Sequence, residues 1–339
     1  MTTKISCAPW RATRVAGERG SSSVNDILLE ASVGNIPVST EAIASACEDA
    51  ATDVEEVKFI PDLDFWDPTA SRLRKNVTPS FQCLHQIRRD VMDLYAKPIP
   101  GVSIVPDDRD ITRIYGLLLG PAGTPYEGGF FRYFVKCPPD FPAHPPRVKL
   151  LTTDGGRVGF APNLNEDEMI CLSLVGTWPG PVWSPYEHSL RTVLIALKSI
   201  MTDDPFNNVP ALVRGKEDEA GAYKDYLLHE TLRVAVIEEV ASALHPDSSY
   251  KPEHRKFILV TFLKSYKAHL RTVRLQIRRM VNKGRDPFRG RTTRYDYDFI
   301  LIRLERLYDA VSELNEKGIF DKKVDLVEYL RVRLHGPPR

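Results

Sequence analysis

The sequence predicts an α+β fold, in which an antiparallel sheet is flanked by helices. A helical repeat of apolar residues comes first, segments rich in β-branched and aromatic residues follow at 111–119, 130–137 and 147–153, and long helical repeats come last. The connections between the strand-like segments are short and dense in glycine and proline. Because such connections leave no room for crossover helices, we expect an antiparallel meander rather than a parallel sheet.

The first predicted helix begins at Thr78-Pro79, because threonine caps helix starts and proline fits the first helical turn. Apolar side chains then recur at helical spacing until Lys97-Pro98: Leu84, Ile87, Val91, Leu94 and Tyr95. Arg88 and Arg89 belong to the other face of this helix. The pattern therefore predicts an amphipathic helix with an exposed basic pair.

Further helices are predicted after the strands. Ser184-Pro-Tyr-Glu187 has the pattern of a capping box and predicts the start of a second helix. A third helix is predicted over 223–244, and two long helical repeats follow Lys251, joined by a linker of glycine, proline and arginine at 284–294. A last amphipathic run covers 324–334. The C-terminal part is thus predicted to be helical rather than a tail without structure.

Composition limits the class of protein. The net charge is +1 and the apolar and charged fractions are 42% and 27%, so the average composition gives no reason to expect a nucleic-acid or membrane partner. No apolar run approaches the roughly 20 residues of a membrane span. The chain has five cysteines without a CxxC pair or metal-like clustering, which favours a reducing intracellular compartment and no metal site. These cysteines are Cys7, Cys47, Cys83, Cys137 and Cys171.

The stretch from 160 to 174 is the most informative part of the chain. Pro162-Asn163 predicts a turn, and Cys171 follows after an acidic loop that includes Glu166 and Glu168. Apolar residues on both sides of Cys171 are expected to hold its backbone, so we expect a thiol that is exposed without being mobile. The sequence close to Cys171 contains no histidine, and the acidic loop disfavours the stabilised thiolate of a papain-like protease.

Five short motifs occur in a fixed order along the chain. They are Pro125-Tyr-Glu-Gly-Gly-Phe130, Asp140-Phe-Pro-Ala-His-Pro-Pro146, Ala161-Pro-Asn163, Cys171-Leu-Ser-Leu174 and Trp183-Ser-Pro185. In their order and spacing the chain resembles the catalytic core of ubiquitin-conjugating enzymes. The long extensions and the residues around Gly176-Thr-Trp178 resemble those of the Z-type members of that family. The resemblance implies three parts: an irregular N-terminal extension at 1–76, a ubiquitin-conjugating core at 77–240 and a helical extension at 241–339.

The resemblance also implies an activity. Such enzymes accept ubiquitin from an activating enzyme as a thioester on a cysteine, here Cys171, and transfer it to a substrate lysine or to a ligase. ATP is consumed by the activating enzyme, so the chain itself needs no metal or organic cofactor. The resemblance to Z-type members leaves open an alternative activating enzyme as donor and a second, ubiquitin-like modifier as cargo. Cytoplasm and nucleus are the expected locations.

Site residues follow from the same resemblance. Asn163 matches an active-site asparagine whose amide stabilises the oxyanion formed during aminolysis, with a brace for the acidic loop as the alternative role. Ala161 stands where the family usually has a histidine, which puts the usual structural bonding of that histidine in doubt. Asn207 and Asn208 lie where the family positions the incoming lysine, and a simple helix-end cap is the alternative for them.

Partner surfaces are implied as well. Arg88 and Arg89 match the face that binds the activating enzyme, and Ala143, Pro185 and Tyr186 lie in the loops that contact ligases. Ala143 is smaller than the apolar anchor of many family members, so weaker ligase binding is expected.

Two rival functions stay open at this stage. The first is a non-catalytic binding module with the same fold, in which Cys171 only packs. The second is a nucleic-acid-binding protein that uses the basic region from Lys251 to Arg294, although that region shows no known binding signature. We favour internal packing and an acidic protein partner for that region.

Overall fold

The structure, a computed structural model, describes residues 66–69, 77–208, 219–280 and 283–320 of the 339-residue chain. Helix α1 (Phe81–Ala96) comes first. Four strands follow: β1 (Val102–Pro106), β2 (Arg113–Leu119), β3 (Phe130–Lys136) and β4 (Arg147–Leu150). They form one antiparallel sheet in the order β1-β2-β3-β4. The predicted α+β fold with an antiparallel meander is confirmed.

The helices after the sheet are α2 (Leu190–Ser199), α3 (Ala220–Glu230), α4 (Glu239–Leu244), α5 (Pro252–Arg279) and α6 (Tyr297–Glu316). A π-helical segment, Thr231–Glu238, joins α3 to α4 without a break. Short 3-10 turns lie at Ser173–Val175 and Pro205–Asn208. None of the helices in the described ranges is both long and apolar enough to cross a membrane.

Both faces of the sheet are covered by helices. Because side chains alternate along a strand, neighbouring residues of β2 enter different apolar clusters. Leu118 packs in the cluster that contains α1 and α2, whereas Leu117 packs with residues of α5 and α6. The C-terminal helices α5 and α6 therefore share an apolar cluster with the sheet. The residue ranges predicted for the three parts of the chain stay predictions.

Two predicted helix starts are wrong, the first by two residues and the second by five. Helix α1 begins at Phe81, because the Oγ of Ser80 accepts a hydrogen bond from the backbone nitrogen of Cys83 at 3.0 Å. Helix α2 begins at Leu190 with Ser189 as its N-cap. The Ser184 segment forms a turn instead, since its backbone nitrogen donates to Nδ1 of His188 at 2.9 Å.

The predicted linker at 284–294 is a β-hairpin. Strands β5 (Lys283–Asp286) and β6 (Arg291–Arg294) pair in antiparallel fashion between α5 and α6. Its strands are short, polar and largely exposed, so they lack the apolar β-branched and aromatic residues that marked the predicted strands. Strand β1 was not predicted either, although Val102, Ile104 and Val105 are apolar and β-branched, and it is only five residues long. The amphipathic run predicted at 324–334 lies outside the described residues.

Candidate functional site

The backbone of Cys171 is held on both sides. Its nitrogen donates to the carbonyl oxygen of Asn163 at 3.0 Å. The Thr177 hydroxyl donates to the Ile170 carbonyl at 2.5 Å and accepts from the Leu172 nitrogen at 2.9 Å. The turn and the cysteine, which are separated in sequence by the acidic loop, are thus joined directly, and the expected immobile backbone at Cys171 is present.

The thiol itself is not exposed, which contradicts the expectation from sequence. Only 3% of Cys171 is accessible, and it clusters with Met169 under the side chains of Trp66 and Trp178. The short segment that carries Trp66 is linked to β4, since the Asp67 carbonyl accepts from the Arg147 guanidinium at 3.5 Å. Neither indole ring is predicted from the sequence to lie at Cys171. Trp178 follows Cys171 by only seven positions, whereas Trp66 comes from the distant N-terminal side of the chain.

Asn163 lies next to Cys171 and is itself nearly buried, at 7% exposure. Its Oδ1 accepts a hydrogen bond from Nδ2 of Asn208 at 3.3 Å. Asn208 Nδ2 also donates to the Ile200 carbonyl at 2.7 Å, at the C-terminal end of α2, and its Oδ1 accepts from Thr202 at 3.0 Å. Asn208 therefore closes the end of α2 and also fixes the oxygen end of the Asn163 amide.

Asn207 has a different position from Asn208. It is exposed, and its Nδ2 donates to Oδ2 of Asp204 at 2.8 Å. Of the two predicted amides, Asn208 is therefore the one that is hydrogen-bonded to Asn163.

Asn165 is a site residue that the sequence analysis did not assign. It is 8% exposed, and its Nδ2 lies 3.2 Å from the sulfur of Cys171 and 3.3 Å from the carbonyl oxygen of Met169. Its position two residues after Asn163 in the same loop is the signal that could have identified it.

Arg289 is the second unassigned residue, and it comes from the turn of the β5-β6 hairpin. Its Nη2 donates to the Ala161 carbonyl at 3.1 Å and to Oδ1 of Asn165 at 3.3 Å. The guanidinium passes so close to Gly159 that a Cβ atom there would lie 2.3 Å from it. Arg289 thus forms a hydrogen bond with the backbone of Ala161, the residue that stands where ubiquitin-conjugating enzymes usually have a histidine. Turn-forming residues between Asp286 and Gly290 are the only sequence signal for this hairpin.

Two carboxylates of the acidic loop, those of Glu166 and Glu168, are paired with basic side chains. Glu168 lies 2.5 Å from Nζ of Lys149. Glu166 accepts from Arg291 at 3.1 Å, and its other oxygen lies 2.9 Å from Nε of Arg289, close enough for an ion pair but without hydrogen-bond alignment. Asp167, the third acid of the loop, is exposed, and its Oδ1 accepts from the Met169 backbone nitrogen at 3.1 Å. The negative charge that the sequence led us to expect near Cys171 is therefore balanced at the two glutamates.

Arg289 stays positively charged although it is buried. Burial alone would lower the pKa of its guanidinium, but the carboxylates of Asp286 and Glu166 raise that pKa above its ordinary value. A permanent cation therefore lies behind Asn165.

The predicted partner surfaces are accessible. Arg88 and Arg89 are exposed on α1, and Ala143, Pro185 and Tyr186 are exposed in the two loops, with Tyr186 at 97%. The indole nitrogen of Trp183 donates to the Pro142 carbonyl at 2.6 Å, which joins the loops to each other.

The basic C-terminal region is partly neutralised within the chain. Arg279 pairs with Asp225 at 3.0 Å, and Arg274 lies 3.7 Å from Glu305. Arg271 and Arg278 are exposed on α5. The pairing of Arg274, Arg279, Arg289 and Arg291 agrees with the preference for internal packing over nucleic-acid binding.

Comparisons with known proteins give the following matches. A family model described as "Ubiquitin-conjugating enzyme" matches residues 86–225. The chain is 39% identical to "Ubiquitin-conjugating enzyme E2 Z" of Xenopus tropicalis over 76% of this chain and 80% of that protein. It is 36% identical to the Homo sapiens protein of the same name over 80% of this chain and 78% of that protein. It is also 34% identical to the Homo sapiens "Dual E2 ubiquitin-conjugating enzyme/E3 ubiquitin-protein ligase BIRC6", over 44% of this chain and 3% of that protein.

Proposed function

Because the chain belongs to the ubiquitin-conjugating enzyme family, and so to the transferases, we propose that Cys171 accepts ubiquitin as a thioester and passes it on. The acceptor is a substrate lysine or a ligase. The observation that carries this proposal is the direct hydrogen bond, 3.0 Å long, from the Cys171 nitrogen to the Asn163 carbonyl. This backbone bond holds the residue that carries the thiol next to the residue that carries the buried amide, the two groups to which the family resemblance assigns the thioester chemistry.

The first step is transthiolation. The Cys171 thiolate attacks the carbonyl carbon of the ubiquitin thioester on the activating enzyme, a new sulfur–carbon bond forms, and the donor's sulfur leaves as a thiolate. Since Trp66 and Trp178 pack against Cys171, these indole rings must separate from the sulfur before a donor as large as an activating enzyme can reach it.

The second step is aminolysis. A lysine amine attacks the thioester carbon, the carbon–sulfur bond breaks, the Cys171 thiolate leaves, and the amine's proton passes to water. Oδ1 of Asn163 is bonded to Asn208, which leaves the amide nitrogen as the donor that meets the developing oxyanion. A donor of this kind contributes about 2.7 to 4 kcal/mol in other enzymes.

Asn208 acts on the same step by orientation. An amide is not a base near neutral pH, so it cannot remove the proton of the incoming lysine. Its hydrogen bonds to Asn163 and to the Ile200 carbonyl hold the edge of the site along which the lysine approaches.

The partners we propose are those of the family. Ubiquitin is the cargo, an activating enzyme binds the exposed face of α1 at Arg88 and Arg89, and ligases bind the loops of Ala143 and Tyr186. An alternative activating enzyme and a second ubiquitin-like modifier are included in the proposal because of the similarity to Z-type relatives.

Cytoplasm and nucleus are the proposed locations, because thioester chemistry needs a reduced thiol and both compartments keep cysteines reduced. Fluorescence microscopy of the tagged full chain tests this, and a signal confined to a secretory compartment would contradict it.

The test is a loading assay. The full chain is incubated with ATP, ubiquitin and, in separate reactions, each type of activating enzyme. We expect an adduct that reducing agent removes, and Cys171→Ser should either abolish it or convert it to an ester that resists reducing agent. Cys83→Ala is the matched control, since Cys83 is also a buried cysteine but lies in α1.

A non-catalytic binding module is the second candidate, and the burial of Cys171 is the observation that favours it. The loading assay separates the two functions. No reducible adduct with any donor, from a chain that melts cooperatively, would support the module. A reducible adduct that requires Cys171 but not Cys83 would exclude it.

A further inference from the structure

We propose that Asn165 is a further catalytic residue, which donates a hydrogen bond to the Cys171 sulfur, and that Arg289 is the residue that positions it. The inference rests on the proposed function, because it assigns a role in the thioester chemistry of Cys171. It also means that the β5-β6 hairpin, which lies beyond the predicted core, influences the reacting sulfur through Asn165.

The neighbours of Asn165 determine which end of its amide faces the sulfur. Arg289 carries only donors and lies 3.3 Å from Oδ1, whereas the Met169 carbonyl is only an acceptor and lies 3.3 Å from Nδ2. If the amide were rotated by half a turn, donor would face donor and oxygen would face oxygen. The nitrogen is therefore the end that lies 3.2 Å from Sγ of Cys171, and its two hydrogens serve Met169 and Cys171.

Arg289 is itself held in a single arrangement. Its Nη1 donates to Oδ2 of Asp286 at 2.9 Å, and Asp286 is fully buried. Its Nη2 bonds the Ala161 carbonyl as well as Asn165. The absence of a side chain at Gly159 provides the space for the guanidinium, because any Cβ atom there would overlap with it. The planar fork of arginine is needed to reach these acceptors together.

The hairpin turn is anchored in the apolar core. Oδ1 of Asp286 accepts from the backbone nitrogens of Phe288 and Arg289 at 2.9 and 3.2 Å, which fixes the turn. The Phe288 ring packs against Tyr223 and Phe206 with centroid separations of 5.0 and 5.3 Å. The position of Arg289 is thus set by core packing.

The contact with Asn165 acts when charge is present on the sulfur. The sulfur is a thiolate when it attacks the activating enzyme's thioester and again when it leaves during aminolysis, but it is neutral in the thioester. A hydrogen bond to an ionised acceptor is roughly twice as strong as one to a neutral acceptor. In aminolysis, negative charge develops on the sulfur as it leaves, so the Asn165 amide interacts more strongly with that transition state than with the neutral thioester, which is the condition for accelerating a step. In loading, the same contact raises the fraction of Cys171 that is present as the attacking thiolate.

The charged groups around this loop come from several elements and oppose one another. Arg289, Arg291 and Asp286 belong to the hairpin, Lys149 to β4 and Asp67 to the segment at 66–69. The loop itself carries Glu166, Glu168 and the exposed Asp167, whose Oδ1 accepts from the Met169 nitrogen at 3.1 Å. Since the two glutamates are paired, we assign the stabilisation of the thiolate to the amide of Asn165 with Arg289 behind it.

The test uses alkylation of Cys171 in the full chain without any partner. Iodoacetamide rates are measured against pH, and mass spectrometry of the Cys171 peptide restricts the reading to this thiol. We expect Asn165→Leu to move the pH of half-maximal rate upward by about one unit, because a hydrogen bond to the charged form is lost. Arg289→Met should move it in the same direction, and Arg289→Lys should retain part of the wild-type behaviour.

Arg291→Met is the matched control. Arg291 lies on the same hairpin and pairs with the same Glu166. Its side chain donates hydrogen bonds to Glu166 and to the Arg157 carbonyl rather than to Asn165. It should leave the pH profile unchanged. If Arg289→Met does not fold, as judged by its thermal melt, Asn165→Leu and Arg289→Lys carry the test.

The outcomes separate this inference from the proposed function. Wild-type pH profiles for Asn165→Leu and Arg289→Lys would overturn the inference, whether or not the chain loads ubiquitin. Shifted profiles support it, and about tenfold slower loading of Asn165→Leu would extend it to catalysis. Shifted profiles in a chain that never loads ubiquitin would contradict the proposed function while leaving the Asn165–Cys171 contact established.

Discussion

Nδ2 of Asn208 donates to Oδ1 of Asn163 at 3.3 Å, so the two amides that the family resemblance assigned to different tasks form one unit. Asn208 reaches Asn163 because Pro205–Asn208 forms a 3-10 turn shortly after α2. Nδ2 of Asn208 also donates to the Ile200 carbonyl at the end of that helix. The orientation of Asn163 is therefore tied to the end of a helix and not to its own loop alone.

Replacing Asn208 with leucine should slow aminolysis more than loading. The Asn163 amide loses a bond worth about 1 kcal/mol, which corresponds to a rate change of roughly fivefold in the step that uses its nitrogen. The measurement is single-turnover discharge of preloaded ubiquitin to free lysine, beside the rate of loading. Asn207→Leu is the matched control, because Asn207 bonds Asp204. Equal slowing in both variants would contradict the role of Asn208.

Replacing Trp66 with alanine should make Cys171 react faster with small alkylating agents. Trp66 packs against the Met169 and Cys171 pair, and only 3% of Cys171 is accessible. Removing one of the two indole rings exposes the sulfur, so we expect a several-fold higher rate of iodoacetamide addition at the Cys171 peptide. Phe81→Ala, an exposed aromatic of α1, should leave that rate unchanged. An unchanged rate in Trp66→Ala would show that the indole does not limit access.

The sequence predicted the scaffold of the site well and its chemistry only in part. Segments rich in β-branched and aromatic residues and helical repeats of apolar residues are local patterns, so the α+β fold could be derived from them. The motif spacing identified Asn163 and Cys171 as candidate catalytic residues, and the backbone nitrogen of Cys171 donates to the Asn163 carbonyl. Their surroundings come from far along the chain.

Two features of the site illustrate what local patterns cannot provide. Trp66, which lies far before Cys171 in the chain, packs against it. Arg289, which lies 124 positions after Asn165, donates a hydrogen bond to it from the β5-β6 hairpin. The strands of the hairpin are polar and show no apolar alternation, so the sequence did not indicate that they pair. The structure shows that the turn between them is anchored by Phe288 in the apolar core. Contacts of this kind are decided by tertiary packing.

Replacing Arg255 with methionine should lower the free energy of unfolding by about 3 kcal/mol, because two hydrogen bonds from a charged, buried group are lost and the Ala243 and His245 carbonyls lose their donor. Arg255 is fully buried and donates to the Ala243 and His245 carbonyls at 2.9 and 2.8 Å, at the end of α4. Urea unfolding measures the loss. Arg274→Met on the same helix is the control, with less than about 0.5 kcal/mol expected for its exposed ion pair. Similar losses in both variants would contradict the assignment.

His269 should make the chain less stable as the pH falls from 7 to 5. Burial lowers the pKa of His269 to about 4, from an ordinary value of 6.5, with Glu127 opposing the shift. The unfolded chain therefore binds a proton that the folded chain rejects between these two pKa values, so stability is full above pH 6.5 and declines as pH falls toward 4. For this group alone the expected loss between pH 7 and pH 5 is about 2 kcal/mol.

The comparison that isolates this effect is urea unfolding of the wild type and of His269→Gln at both pH values. Glutamine does not titrate, so the free energy of unfolding of the variant should fall by about 2 kcal/mol less than that of the wild type between pH 7 and pH 5. The variant can still be less stable at pH 7, because the packing of the imidazole against Phe262 and Gly128 is lost. His144→Gln serves as the control, because His144 is exposed and pairs only with Asp140 in the described contacts. If His269→Gln and the wild type lose the same amount, His269 does not remain neutral in the folded chain, and the pH dependence must come from other buried groups such as His254, whose pKa is also lowered to about 4 by burial.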